Sequence, residues 1–195
     1  MLNKKLISFL LLFTLIFGSG GFDTGTSTGK GKFKIDLTWN PFNKIVFGQT
    51  YAVMSYGLSD RFDIHGYLSK HHDPFYTYYA GIFYQFYNSD KLDLATAIGA
   101  RKRSDKTWTH FFTPQILYTI NIAQNIFIGG SFVDVRDSNK KSKIGMAIDL
   151  SLFYNIGIET KHIESVSIGM GGFHPAEKSN GAFFLPTYSI DIKFK

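Results

Sequence analysis

The sequence predicts an all-β fold, an antiparallel up-and-down β-barrel of about ten strands, with eight strands as the alternative. Three observations predict it. Of the 195 residues, 20 are Phe and 11 are Tyr, and aromatic residues favour strands. Apolar and polar residues alternate along several segments, which is the period of a strand. Polar turns separate these segments, and none of them after residue 20 has the pattern of a helix.

The N-terminus has the three regions of a secretory signal peptide. The first five residues include Lys4 and Lys5, residues 6–17 are almost continuously apolar, and Gly18, Ser19 and Gly20 supply small residues for cleavage. The apolar run is shorter than the roughly 20 residues of a transmembrane helix. We therefore expect a signal peptide at 1–20.

The remaining chain is long enough for one domain. Residues 21–32 are rich in Gly, Thr and Ser, which predicts a flexible N-terminal lead-in, and residues 33–195 are expected to form the barrel. Because the chain has no cysteine, no disulfide framework can stabilise it. Side-chain packing or a surrounding membrane must therefore stabilise the fold.

Ten β segments follow the lead-in. They are predicted at 33–39, 44–58, 61–70, 74–87, 91–101, 108–121, 125–135, 143–155, 162–172 and 182–194. Alternation is clear in the eighth, where every second residue from Ile144 to Tyr154 is apolar and the residues between are small or polar, Phe153 excepted. The last segment repeats this pattern, although Pro186 should remove a hydrogen bond from its ladder. Each strand thus has one apolar and one polar face.

The lengths of the connections favour a membrane barrel. Connections at 59–60, 88–90 and 123–125 are short, whereas those at 70–73, 101–107, 136–142 and 174–180 are longer and charged. In outer-membrane barrels short turns face the periplasm, longer loops face outside, and an even strand number places both termini in the periplasm. The short connection at 40–43 is the exception to this alternation.

Aromatic residues, including Trp39, Tyr56 and Tyr188, lie mostly near strand ends, as in interfacial girdles. With this pattern, residues 33–194 resemble the small Gram-negative outer-membrane β-barrel proteins. The segment Tyr188–Phe194 is similar to the C-terminal signal read by the barrel-assembly machinery, and Tyr56–Ile64 is similar to hairpins of such barrels. The resemblance implies an outer-membrane location, with membrane lipids and that machinery as partners. We expect a monomer; a periplasmic lipocalin-like binding barrel is the soluble alternative.

The polar strand faces predict the lining of the lumen. The residues expected there are Asp63, His65, Asp93, Gln115, Asp134, Asp149 and Asp191. Arg101, Arg136 and Lys193 also fall on the predicted inward face, so its charges are mixed in sign. Barrels of this size are largely filled by side chains. Two interpretations stay open: these groups form a structural network, since buried charges must be paired, or they line a narrow polar channel.

Basic residues cluster in two predicted outer loops. They are Arg101, Lys102, Arg103, Lys106, Arg136, Lys140, Lys141 and Lys143. Positive charge there would face the phosphates of lipopolysaccharide, although simple solvation of exposed loops explains the pattern equally well. Nucleic-acid binding is disfavoured, because a signal peptide removes the chain from the cytoplasm.

Catalysis finds little support in the motifs. None of the six histidines begins a His-x-Ser pair, and His71-His72-Asp73 before Pro74 is more typical of a solvated turn than of a metal or catalytic site. No phosphate loop, metal motif or nucleophile elbow is present, so no cofactor or metal is expected. The predicted function is a porin-like structural or narrow-channel protein of the outer membrane. A barrel enzyme that hydrolyses lipid or peptide is the alternative.

Overall fold

The computed structural model is a closed antiparallel barrel of ten strands, described for residues 24–39, 49–71, 74–104, 108–137, 143–174 and 185–195. Each strand pairs with its neighbours in the chain, and the first pairs with the last to close the sheet. The strands are β1 (Phe33–Trp39), β2 (Gln49–Gly57), β3 (Phe62–His71), β4 (Tyr76–Asn88), β5 (Leu92–Arg103), β6 (Trp108–Ala123), β7 (Ile126–Asp137), β8 (Lys143–Asn155), β9 (Ile163–His174) and β10 (Leu185–Phe194). The predicted all-β fold and the count of ten strands are confirmed.

The strand bounds differ from the prediction at several ends. β5, β7 and β9 each run two residues further than predicted, so charged positions expected in loops continue the sheet. Of the predicted second strand, residues 44–48 lie outside the described residues. Pro186 is the second residue of β10, opposite Gly172, close to the strand terminus where a missing N–H is tolerated. In the described part of the chain, no helix is long and apolar enough to cross a membrane.

The two ends of the barrel differ. At one end, called the turn end, β1 begins, β10 finishes, and short connections at 58–61, 89–91 and 124–125 join the strands together with a longer one at 156–162. The opposite end, called the loop end, carries the connections that are mostly outside the described residues. This up-and-down arrangement follows from antiparallel pairing of an even number of strands.

The distribution of apolar and polar residues is the reverse of that in a water-soluble domain. The outer face presents large apolar side chains, among them Leu37, Ile64 and Ile82, of which Ile82 is 53% exposed. The inner face buries Thr, Ser, Gln and Asp, for example Thr38 and Gln115. Successive side chains of a strand point to opposite sides of the sheet. Every strand therefore has one face towards the exterior and one face towards the lumen. The prediction that apolar faces point away from the barrel axis is confirmed.

Candidate functional site: the barrel interior

The N-terminal segment, residues 24–32, lies in the turn-end mouth of the barrel. The backbone N–H of Gly25 donates to Thr119 Oγ1 at 2.9 Å, and the Thr26 hydroxyl donates to Asp93 Oδ2 at 2.6 Å. Further along, the N–H of Thr28 donates to Asp63 Oδ2 at 2.7 Å. The segment therefore crosses the inner wall from β6 to β3. The flexibility predicted for residues 21–32 stays a prediction, and the structure adds that residues 25–28 form hydrogen bonds to the wall.

The segment continues into β1 through a backbone bridge to the end of β2. The N–H of Gly31 donates to the Gly57 carbonyl at 2.8 Å, and the N–H of Gly57 donates to the Lys32 carbonyl at 3.0 Å. Ser27 fastens the middle, because its hydroxyl donates to the Asp60 carbonyl at 2.6 Å and its N–H to Gln85 Oε1 at 3.1 Å. We call residues 24–32 the mouth segment.

A cluster of tyrosines occupies the loop-end half of the lumen. Tyr67 stacks on Tyr79 with ring centroids 5.1 Å apart, and Tyr51 meets Tyr67 edge-on at 5.3 Å. These rings from β2–β4 share one buried cluster with Val133 of β7 and Ala147 of β8. Side chains from distant strands thus meet across the lumen. Together with the mouth segment, they leave a narrow interior.

Ionisable groups line the interior between these two obstructions. Five aspartates are buried on the described inner wall: Asp36, Asp63, Asp93, Asp149 and Asp191. Lys34 Nζ lies 2.9 Å from Asp191 Oδ2, and Ser131 donates to Asp149 Oδ2 at 2.5 Å. Lys193 points to the turn end and reaches Glu164 at 3.1 Å. Carboxylates therefore outnumber cationic groups along the described inner wall, where the cations are Lys34, Arg101 and Lys193.

Two cavities remain in the turn-end half. The larger, of about 230 Å³, lies between the mouth segment and the wall of β6–β10. The smaller, of about 30 Å³, is bounded by Asp36, Asp63 and His65 and is separated from the first by residues of the mouth segment and Lys34. A volume of about 30 Å³ corresponds to roughly one water molecule in the liquid. The interior is thus polar and confined.

Most residues predicted to line the lumen lie on the inner face. Asp63, His65, Asp93, Gln115, Asp149 and Asp191 are buried there. Asp134 does not share this face, because it pairs with Met146, which is 46% exposed on the outside. On β7 the inward positions are Ser131 and Val133, so the alternation places Asp134 on the outer wall. Its assignment to the lumen was wrong. For the other six residues, a role in lining a channel stays a prediction.

Only part of the predicted loop-end charge lies in described residues. Arg101 belongs to β5 and pairs with the buried Tyr79, which agrees with its place on the predicted inward face and corrects its assignment to an outer loop. Lys102 is exposed and pairs with Tyr78 on the outer face. Three further residues belong to strands, but their side chains are not described: Arg103, Arg136 and Lys143. The remaining three lie outside the described residues: Lys106, Lys140 and Lys141.

Two histidine side chains are described, His65 and His162, and they lie in different parts of the barrel. His65 is buried, and its Nε2 lies 3.2 Å from the Tyr79 hydroxyl. His162 is exposed in a connection at the turn end, whereas His72 and the side chain of His174 are not described. Within the described ranges, no three His, Asp or Glu side chains come close enough to hold a metal ion.

Several interior residues were missed from the sequence. Lys34 and Asp36 alternate with Phe33, Ile35 and Leu37, so the pattern of β1 already indicated an inward pair. The docking of the mouth segment had no such signal. Its Thr, Ser and Gly residues are typical of unstructured linkers, and its partners lie up to 94 residues away in the chain.

Comparison with solved structures identifies the class of fold. The chain is similar to the KdgM porin, with a TM-score of 0.51 and 7% sequence identity over 84% of this chain and 98% of the other. A second structure, the KdgM porin in complex with disordered oligogalacturonate, gives a TM-score of 0.50 and 7% identity over 84% and 97% of the two chains. At this identity the likeness concerns the fold: a small porin-type β-barrel. No family model and no curated protein sequence matches the chain.

Proposed function

We propose that this protein is a narrow channel of the outer membrane that prefers cations to anions. One observation carries the proposal: a closed barrel with an apolar exterior encloses a polar interior in which, among the described side chains, carboxylates outnumber cations. The likeness to porins supports the same class of function.

The exterior supports a membrane location. On β4 the outer aromatics Tyr76 and Phe86 are ten residues apart, which corresponds to roughly 33 Å along a strand and about 25 Å along the axis of a barrel with a strand tilt near 40°. An apolar band of about 25 Å is typical of outer-membrane barrels. Further aromatic pairs lie near the two rims, Phe33 with Phe194 at the turn end and Trp39 with Tyr188 at the loop end. By analogy with such barrels, the turn end would face the periplasm.

The interior supports a preference for cations. The described inner wall carries five buried aspartates, whereas its cations are Lys34, Arg101 and Lys193. Charges in a confined, low-dielectric lumen act strongly on passing ions. This acidic wall disfavours an acidic sugar chain such as the oligogalacturonate in the KdgM porin complex.

The experiment is a measurement of reversal potential. Purified protein in planar bilayers under a KCl gradient should give discrete conductance steps and a reversal potential of the sign for K⁺ selectivity. Replacing the inward carboxylate in Asp149→Asn should shift the reversal potential towards zero. The matched control is Asp134→Asn, because Asp134 lies on the outer wall of the neighbouring strand. Anion selectivity, or an equal shift in both variants, would contradict the proposal.

We further infer that basic residues at the loop end bind lipopolysaccharide phosphates. Lys70 and Lys102 support this, because both are exposed and pair with outward tyrosines, and Lys70 Nζ lies 5.9 Å from the centre of the Tyr76 ring. A lysine near an anionic membrane surface contributes about 1 kcal/mol. We extend the same inference to the predicted loop residues around them.

A double variant tests this contact. Lys70→Gln with Lys102→Gln should lower the urea midpoint of the barrel more in liposomes that contain lipopolysaccharide than in liposomes of neutral phospholipid. Lys161→Gln is the control, because Lys161 is exposed at the opposite end. Equal losses in both kinds of liposome would leave simple solvation as the explanation.

A further inference from the structure

The larger cavity has a lining rich in hydroxyl and amide groups. It is bounded on one side by Thr24, Thr26 and Ser27 of the mouth segment, and on the other by Ser165 and Ser167 of β9 with residues of β6–β8 and β10. Its volume of about 230 Å³ equals roughly eight water molecules at about 30 Å³ each. That volume suits one small ring.

The charged groups of the lining already have partners of opposite sign or hydrogen-bond donors. Lys34 pairs with Asp191 at 2.9 Å, and Lys193 pairs with Glu164 at 3.1 Å. Asp93 accepts hydrogen bonds from Asn88 at 2.7 Å and from Thr26 at 2.6 Å. The two lysines and two aspartates of the lining cancel in formal charge. A charged ligand would have to break one of these contacts, whereas a neutral ligand would not.

One buried acceptor in the lining is unsatisfied. Asp191 is buried, and its Oδ1 has no hydrogen-bond partner among the described residues. Asp191 pairs with Ser167, another lining residue of the inner wall. A buried carboxylate oxygen without a donor costs free energy, so a ligand that brings a hydroxyl group to it is favoured.

The cavity also offers an apolar surface. Phe127 lines it and stacks on Phe153 with ring centroids 4.8 Å apart and an angle of 6° between the planes. A small-molecule site usually combines an aromatic or apolar surface with a small number of polar groups that point towards the ligand. This ring can cover the C–H face of a sugar while hydroxyl groups meet the polar wall.

We propose that this cavity binds a single neutral sugar or a similar small polyol. The inference deepens the proposed channel function, since it names a solute that occupies the turn-end mouth. Asp191 accepts a hydrogen bond from one ligand hydroxyl, the Ser167 hydroxyl exchanges a hydrogen bond with another, and Phe127 packs on the apolar face of the ligand.

Saturation-transfer NMR on the full chain folded in detergent tests the proposal. The probes are D-glucose as the neutral sugar, D-glucuronate as its acidic counterpart and L-threonine as a zwitterion. We expect transfer to glucose, with no competition from the other two at equal concentration. Ser167→Val, which removes the hydroxyl and fills the cavity, should weaken glucose binding at least tenfold, and the milder Ser167→Ala should weaken it less.

The matched control is Ser189→Val, because Ser189 is also buried on the inner wall but does not line the cavity. It should leave glucose binding unchanged, and a heat-modifiability gel reports whether each variant retains the barrel. The proposal is overturned if glucose shows no transfer, if glucuronate or threonine displaces it, or if Ser189→Val weakens binding as much as Ser167→Val does. The channel proposal and the sugar-site proposal can fail separately. Sugar binding without conductance steps would refute the channel and still support the sugar site.

Discussion

We predict that one methyl group added at Gly25 releases the mouth segment from the barrel wall. Gly25 is buried against the wall, and a Cβ at this position would lie 2.8 Å from the Asp93 carbonyl oxygen, the Leu117 carbonyl oxygen and the Tyr118 Cα. All three are backbone atoms of a closed sheet, which cannot move aside. We therefore expect Gly25→Ala to push residues 24–28 out of the mouth while the barrel stays folded.

The magnitude follows from the contacts of the segment. Hydrogen bonds contribute about 1 kcal/mol each, or about 2 kcal/mol when the partner is charged, so the bonds of residues 25–28 to Asp60, Asp63, Gln85, Asp93 and Thr119 contribute roughly 8 kcal/mol. Ordering five residues costs about 5–10 kcal/mol. Docking is therefore favoured by about 3 kcal/mol at most, which is enough to protect the amides but little more than the cost of a clash. An overpacking cost of about 1–3 kcal/mol, at 1.4 kcal/mol per factor of ten, shifts the docking equilibrium about 5- to 140-fold towards release.

Hydrogen exchange measured by mass spectrometry on the folded protein in detergent is the assay. The amides of Gly25, Ser27 and Thr28, which donate to the wall, should lose protection by that factor in Gly25→Ala. Single-channel conductance should rise in parallel, because the mouth widens. Lys30→Ala is the control, since the Lys30 side chain is exposed.

Two results would refute this reasoning. Unchanged exchange of the segment would show that the wall yields to the added methyl group. Increased exchange in the amides of β5 as well would show that the whole barrel, and not the segment alone, has been destabilised.

Three further predictions concern the wall of the barrel. Ile82→Arg places a charge on the outer face near the middle of β4 and should destabilise the barrel in liposomes by about 2–4 kcal/mol, measured by urea unfolding, whereas Ile158→Arg in a turn-end connection should change it by less than 1 kcal/mol. In Gly99→Val the new side chain would overlap the Tyr79 hydroxyl and ring and the Ala80 carbonyl oxygen, so thermal unfolding should show a loss of about 1–3 kcal/mol. Gly99→Val combined with Tyr79→Phe should not recover this loss, because the ring and the backbone oxygen stay in place; recovery would show that the hydroxyl alone is the obstacle. Glu164→Gln breaks partly exposed ion pairs and should cost less than about 1 kcal/mol; a larger loss in the same melt would mean that these pairs are shielded from solvent.

The strands were predictable because their two faces meet different surroundings. Alternation from Ile144 to Tyr154 fixed both ends of β8, and even Phe153, which broke the polar pattern, lies inside as its position in the alternation requires. Strand ends were harder to predict. Arg101 and Lys102 were assigned to a loop because charge suggests solvent, yet hydrogen bonding to β4 continues through both.

The interior was less predictable than the wall. Asp134 was assigned to the lumen because its side chain is charged, but the alternation with Phe132 and Val133 places it outside. Alternation is therefore a better guide than polarity wherever the two disagree. The mouth segment was missed for another reason, since its hydrogen bonds join residues far apart in the chain, and a local pattern contains no information about such contacts.

The position of the mouth segment also sets an order of events during biogenesis. Its residues precede β1, yet its side-chain partners on β3, β4, β5 and β6 lie 35 to 94 residues further along the chain. The mouth segment therefore has no wall to dock against until β3–β6 have formed. Docking of this segment is expected to be a late step of assembly, so a fluorophore attached there would report when folding is complete.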